Sequence, residues 1–449
     1  MAEYRVTTLI DVVNGGDGVL SLREALAAAQ AGAGADTITF DAALLTDGKG
    51  TIATGSTLVW DGGANNAVTI RGDVDGDGRA DITLDAMEAH RVVNVRSGEI
   101  TMSGLDLTRG VADSNGGGAR VAMGAALIFE DGAVTDSVAP GIGGGIVAEG
   151  TLVLARSTVS GNRAEYGGGI WASGKATIDG AAILDNAAAR YVGGLMLDES
   201  GSTVRNTTIA GNTTKAWVGG AYLHHGVTAT SVTITGNRAG TGVDGAEILG
   251  TLLHSVVVGN GDGSSDIYSH SADLFSNNVL GGVDGSVDGT SNAVGIRPDA
   301  VFAAVADGGG LVGANGGPVR TVALLGERSN PALDVGGAGA SGVDARGVAA
   351  VRARDAGAYE FDGDFPLLAT DAAVDASSSL EDAPFERSLP GGLFSGGVGV
   401  DHVLDETRMR PRSPLRSMPP APSSRTSASW PAVYRKRSSC KTPGRTKRT

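Results

Sequence analysis

Four carboxylates stand close together in Asp73-Val-Asp75-Gly-Asp77-Gly78-Arg-Ala-Asp81. Acids at alternate positions, with Gly78 free to turn sharply, converge their oxygens on one point. That is the chemistry of a hard divalent cation, and calcium is the expected cofactor. The twelfth position of the loop is Leu84, with Asp85 beside it, so the usual bidentate glutamate is missing and affinity should be weak. A solvated acidic turn between two strands remains the alternative reading.

Other chemistry-bearing residues recur at intervals of about 25. Asparagines stand at 162, 186, 212, 237 and 260, spaced by 24, 26, 25 and 23 residues. A column repeated in every unit reads as a hydrogen-bonded ladder rather than a catalytic group. One position after successive glycine turns come Trp171, Met196, Tyr222, Glu247 and Tyr268. Strand alternation places them outward, as a ligand-binding stripe for glycans or surface proteins, or as a stripe that shields strand edges. His224 and His225 lie near Lys215 and Tyr222, with Asp198 and Glu199 one repeat earlier. Adjacent histidines on a strand should point apart, so no catalytic residue is assigned. The repeats contain no Asp-Asp pair, Gly-His-Gly or Arg-x-Lys, and no nucleophile elbow is evident.

The elements that must position these groups are short strands. Val159, Ile183, Ile209, Ile234 and Val257 each precede an asparagine by three residues. Gly168-Gly169, Gly193-Gly194, Gly219-Gly220 and Gly245 follow them. β-Branched residues suit a pleated surface, and glycine suits positive φ or close backbone approach. A period near 25 residues with no helical pattern predicts an all-β, right-handed parallel β-helix of about ten coils. Ser21 and Glu24 form a capping box, and Leu22, Ala25, Leu26 and Ala29 give one apolar face. A short N-terminal helix from Ser21 to about Ala31 is therefore expected to cap the open strand edges.

Three stretches resemble known bacterial families. Leu20-Ser-Leu-Arg-Glu-Ala25, after Gly15-Gly-Asp-Gly18, is similar to the CSLREA domain, with Leu20 where that family has cysteine. The Gly-Gly turns and Ser157-Thr-Val-Ser-Gly-Asn162 strand type resemble the repeats of polymorphic outer-membrane proteins and related right-handed β-helix proteins. Gly317-Pro-Val-Arg-Thr321, Asn330-Pro-Ala-Leu-Asp334, Val343-Asp-Ala-Arg-Gly347 and Asp355-Ala-Gly-Ala-Tyr-Glu360 resemble a choice-of-anchor domain. These resemblances imply an exported, extracellular or cell-surface protein and a non-catalytic role as adhesin or display shaft. A polysaccharide-active lyase, epimerase or hydrolase is the alternative.

The resulting organisation is a cap over 1–36, a parallel β-helix over 37–300 and a closing region over 301–362. A linker over 363–380 and a cadherin-like fragment over 381–406 follow. Residues 407–449 form a basic tail holding twelve Lys or Arg, no acid, and seven of the fourteen prolines. The tail's abrupt start points to a shifted reading frame, against a genuine nucleic-acid-binding tail. The chain is −15 overall, so the first 406 residues carry −27 and disfavour nucleic acid and anionic membranes. Its single cysteine, Cys440, excludes an internal disulfide framework. No apolar run of roughly 18 residues predicts a transmembrane helix, and Met1-Ala-Glu-Tyr-Arg-Val6 does not read as a signal peptide.

Overall fold

Pairing runs from coil to coil. A computed structural model describes residues 1–261, 265–269, 272–287, 289–335, 342–350 and 352–363. The chain divides into Met1–Ala372 and Ala373–Thr449, and every described residue falls in the first unit. The expected cadherin-like fragment and basic tail lie outside the described residues, as does the linker beyond residue 363.

Three long parallel sheets are built from the described residues between Glu3 and Thr290. The first has twelve strands, from Glu3–Val6 to Gly289–Thr290. The second has ten, from Leu58–Asp61 to Val283–Gly285, and the third has ten, from Gly50–Ala53 to Val279–Leu280. Each strand pairs with its counterpart one coil before and one coil after, which is the parallel β-helix expected from the repeat. The first rung, Glu3–Val6, already pairs with Ala35–Phe40, so the helix begins inside the segment read as a cap. Among the described residues, no helix is long and apolar enough to cross a membrane.

Interior positions stack in columns. On the third sheet Ile52, Leu84, Leu107, Val134, Val159, Ile183, Ile209, Ile234, Val257 and Leu280 are successive register partners. None is more than 2% exposed. Each such side chain contributes about 1.5–3 kcal/mol on burial. The five β-branched residues recognised by their spacing from asparagine all lie in this column.

The bends explain the glycines, with one change of reason. The residue before each ladder asparagine takes positive φ: Gly161 (70°), Asp185 (56°), Gly211 (67°), Gly236 (66°) and Gly259 (75°). The paired glycines that follow serve close approach instead. A Cβ on Gly169 would meet the Gly194 oxygen at 2.6 Å and Asn186 Nδ2 at 2.9 Å. A second bend, between the first and third sheets, is a single left-handed residue of varied type: Arg156, Asn206, Ser231 and His254.

The asparagine ladder runs through the buried turn. Nδ2 of Asn162, Asn186, Asn212 and Asn237 each donates at 2.9 Å to Oδ1 of the next asparagine. Each Nδ2 also donates to a strand carbonyl, as Asn212 does to Ile183 at 2.9 Å. Asn260 ends the series on Asp266 Oδ1, also at 2.9 Å.

The helix α1, Leu22–Ala31, forms with Ser21 as its N-cap. Glu24 N donates to Ser21 Oγ (3.2 Å) and Ser21 N donates to Glu24 Oε2 (2.9 Å). Leu22, Ala25, Leu26 and Ala29 are buried in the main core, covering its first coil. Arg23 fastens α1 to the wall, donating to both Asp11 oxygens at 2.9 and 2.7 Å.

The region expected to close the helix packs along its flank. Within 301–362, Val319, Ala345 and Ala358 pack on Ala182, Leu184 and Ala210 of the third sheet. Ala358 N donates to Thr233 Oγ1 at 2.9 Å and Gly310 N to Thr235 Oγ1 at 2.8 Å. The segment thus lies back along that sheet's outer face, whose small and apolar residues would otherwise meet water. At its centre Asp355 and Glu360 are almost fully buried. Burial raises Asp355 to about 6 and Glu360 to about 7, with the Asp355 charge adding to the rise at Glu360.

Two tests follow from these contacts. Asn212→Ala leaves the amide and Nδ2 of Asn186 without their acceptor, Asn212 Oδ1. With buried donors orphaned, it should destabilise by about 2–4 kcal/mol, more than Ile209→Val, as measured by urea unfolding. Glu360 has its folded value raised, so the protonated form stabilises the fold. That contribution is full below about pH 4.5 and is lost as pH rises through about 7. Glu360→Gln should therefore raise the urea midpoint at pH 8 and leave it nearly unchanged at pH 5.

Candidate functional site

The acidic loop connects the first-sheet strand Ala67–Arg71 to the third-sheet strand Ile82–Asp85. One carboxylate oxygen each from Asp73, Asp75 and Asp81 lies within 4.8 Å of the others. Asp77, expected as a fourth ligand, does not join them. Its Oδ1 instead accepts from Arg79 N at 2.9 Å in a local turn, facing solvent. The converged oxygens are partly engaged. Asp73 accepts from Gly76 N (2.8 Å) and Gly78 N (3.0 Å), and Asp81 from Val74 N (2.9 Å). Lys49 Nζ sits 3.2 Å from Asp81 Oδ1. Burial raises the Asp81 carboxyl while the Val74 and Asp75 amides and Lys49 lower it, and the net direction is down. Asp81 therefore stays ionised, as a cation ligand must.

A second group lies on the outer face of the second sheet. Trp171, Met196, Tyr222, Glu247 and Tyr268 are consecutive register partners there. Their interior neighbours, such as Ile170 and Leu195, are fully buried. The column points away from the core as alternation requires, but it is not an open stripe. Met196 is 5% exposed and Tyr222 9%, because Val192 and Val218 from the preceding turns pack over them. Trp171 and Tyr268 are half-buried.

The accessible rings come from those same turns. Tyr166, Tyr191 and Trp217 each stand two residues before a glycine pair, in three successive coils. Tyr166 meets Trp171 edge-on with centroids 6.5 Å apart, and Trp171 meets Tyr191 at 6.4 Å. Tyr191 meets Tyr222 at 5.7 Å, and Tyr222 meets His224 at 6.3 Å. Trp217 is 48% exposed, and its Nε1 donates to Glu247 Oε2 at 2.5 Å. A continuous run of rings thus follows the solenoid axis. The sequence reading missed the turn aromatics, although their offset from the glycine pairs was a periodic signal.

Polar groups edge this run. His224 and His225 lie beyond the strand Ala221–Leu223, so strand alternation does not separate them. Their rings meet edge-on at 5.6 Å. His225 Nδ1 lies 3.1 Å from Asp273 Oδ1, and Gly226 N donates to Asp273 Oδ2 at 2.7 Å. Burial raises the Asp198 carboxyl above its ordinary value, with His224 nearby pulling it down. Burial, then the charges of Tyr191, Glu247 and Asp198, push the Tyr222 hydroxyl up to about 12. It remains a neutral hydrogen-bonding group throughout the physiological range. Of the cluster seen in sequence, the structure therefore gathers Asp198, Tyr222 and His224, while His225 turns to Asp273.

Residues 95–280 match a family model described as "Right handed beta helix region". The match agrees with the coil-to-coil pairing on the fold, a right-handed parallel β-helix. The matched span holds the asparagine ladder and the whole run of rings. Among solved structures the chain is similar to pectate lyase Pel9A, at 14% identity and a TM-score of 0.41. That match covers 80% of this chain and 96% of the lyase. It is also similar to a deglycosylated pectin methylesterase from Aspergillus niger, at 14% identity and a TM-score of 0.27, covering 65% and 88% of the two chains. No curated protein matches the chain significantly.

Proposed function

We propose that this protein is a non-catalytic, exported or cell-surface β-helix shaft that binds glycans along the outer face of its second sheet. The observation that carries the proposal is the run Tyr166–Trp171–Tyr191–Tyr222–His224, contributed by three successive coils. Aromatic faces stack on the C–H faces of sugar rings, and the bordering Asp198, Glu247 and His224 accept or donate to hydroxyls. A solenoid repeats such a surface at coil spacing, roughly 4.8 Å, along a straight axis suited to a linear polymer. Export is supported by the resemblance of the N-terminal and closing segments to exported bacterial proteins.

A second reading, a polysaccharide-active enzyme, draws on Asp198. A carboxyl raised by burial beside His224, with Glu247 on the same face, is the kind of pair that acid–base chemistry uses. The acidic loop, in either case, serves as a weak calcium clip between two strands. It is supported by the convergence of Asp73, Asp75 and Asp81.

Binding and turnover separate the two readings. In affinity electrophoresis against a polysaccharide panel, Trp171→Ala/Tyr191→Ala should lose at least tenfold in retention while keeping a cooperative melt. Release of reducing ends or unsaturated uronides should be absent. Turnover abolished by Asp198→Asn would establish the enzyme. For the loop, calcium at about 1 mM should raise the melting temperature of the wild type. Asp75→Asn, at an exposed position, should remove that rise, and an unchanged calcium response would refute the site.

A further inference from the structure

We infer that the ring-lined face takes an uncharged polysaccharide and rejects polyuronates. This inference rests on the glycan-binding reading and narrows it. Its basis is the charge set around the rings. Five carboxylates border the run: Glu165, Asp198, Glu199, Glu247 and Asp273. The fixed cations in the turns that flank the face are Arg163, Lys175, Arg190 and Lys215, fewer than the carboxylates. Arg190 is already committed, with Nε 3.2 Å from Glu165 Oε1 and Nη1 3.4 Å from the Tyr166 hydroxyl. His225 is likewise turned to Asp273.

A uronate polymer presents a carboxylate on every sugar and needs guanidinium or ammonium donors aimed at it. Here it would meet Asp198 at the border of the rings instead, with the largely buried Glu247, already bonded to Trp217 Nε1, adding its charge from behind. Like charges held that close on a half-buried face cost binding energy, and little water remains to screen them. The background field has the same sign, since the first 406 residues carry −27. A neutral chain reverses the balance. Its hydroxyls donate to the carboxylates, and its C–H faces lie on Trp171, Tyr191 and Trp217.

The experiment uses the full chain and affinity electrophoresis or calorimetry against two sets of polymers. One set is uncharged (laminarin, xyloglucan, galactomannan) and the other is polygalacturonate and alginate. Each is run at low and at physiological ionic strength. The expected result is at least tenfold tighter binding to an uncharged polymer than to either polyuronate. Asp198→Asn/Glu199→Gln should narrow that ratio by strengthening polyuronate binding, most at low salt. Circular dichroism melts of the variant confirm that it is folded. Equal or tighter binding to a polyuronate, lost in Trp171→Ala/Tyr191→Ala, would overturn the inference and leave the glycan face standing. Binding to no polymer would remove the glycan face and the inference together.

Discussion

Every coil of this protein is hydrogen-bonded by its neighbours and by little else. Among the described residues, the strands of the solenoid are two to six residues long and pair only with the same strand one coil away. An isolated coil could satisfy neither its backbone donors nor its apolar column. Register is therefore the constraint on which everything depends. Shifting one strand by a single residue would turn Ile183 or Ile209 out of the core, into the segment packed on the outer face, and bring a threonine or alanine inward. The asparagine ladder enforces the register at the turn, because each Asn Nδ2 reaches only one Oδ1 above it.

The same stacking that builds the core builds the outer face. A residue type repeated once per coil becomes a line along the axis, so Tyr166, Tyr191 and Trp217 form an edge without being near in sequence. Between that edge and Asp198 and His224 lies the second-sheet column. The turns that carry the aromatics also carry Val192 and Val218, which bury Met196 and Tyr222. What remains accessible is a narrow run of rings bordered by acids, a surface for a ligand that is both flat and hydroxylated. The outer face of the third sheet has the opposite fate. It presents Ala182, Ala210 and Thr233, and the segment after residue 300 covers it.

Much of the fold was legible from residue types. The Val159–Ile183–Ile209–Ile234–Val257 spacing marked the inward column, and Ser21 with Glu24 marked the cap of α1. Both depend on short-range chemistry that a single repeat or turn displays. Elsewhere local chemistry was not enough. The bend at Arg156, Asn206, Ser231 and His254 has no shared residue type, since a lone left-handed residue costs only about 1–2 kcal/mol and packing supplies it. Asp77 matched the loop pattern yet bonds to Arg79 N, a choice made by local turn geometry among equivalent acids.

The amino-acid sequence alone determined the period, the alternation of inward and outward residues, and hence a stacked parallel architecture, because periodicity is a one-dimensional property. Tertiary structure alone decided which outward residues remain open. Whether Trp171 or Tyr222 meets solvent depends on the turns laid over them. Whether the third sheet is bare depends on residues 301–362 folding back across 120 positions or more to reach Thr233 and Asn206. Such contacts arise between parts of the chain that share no local signal, and only the folded molecule brings them into range.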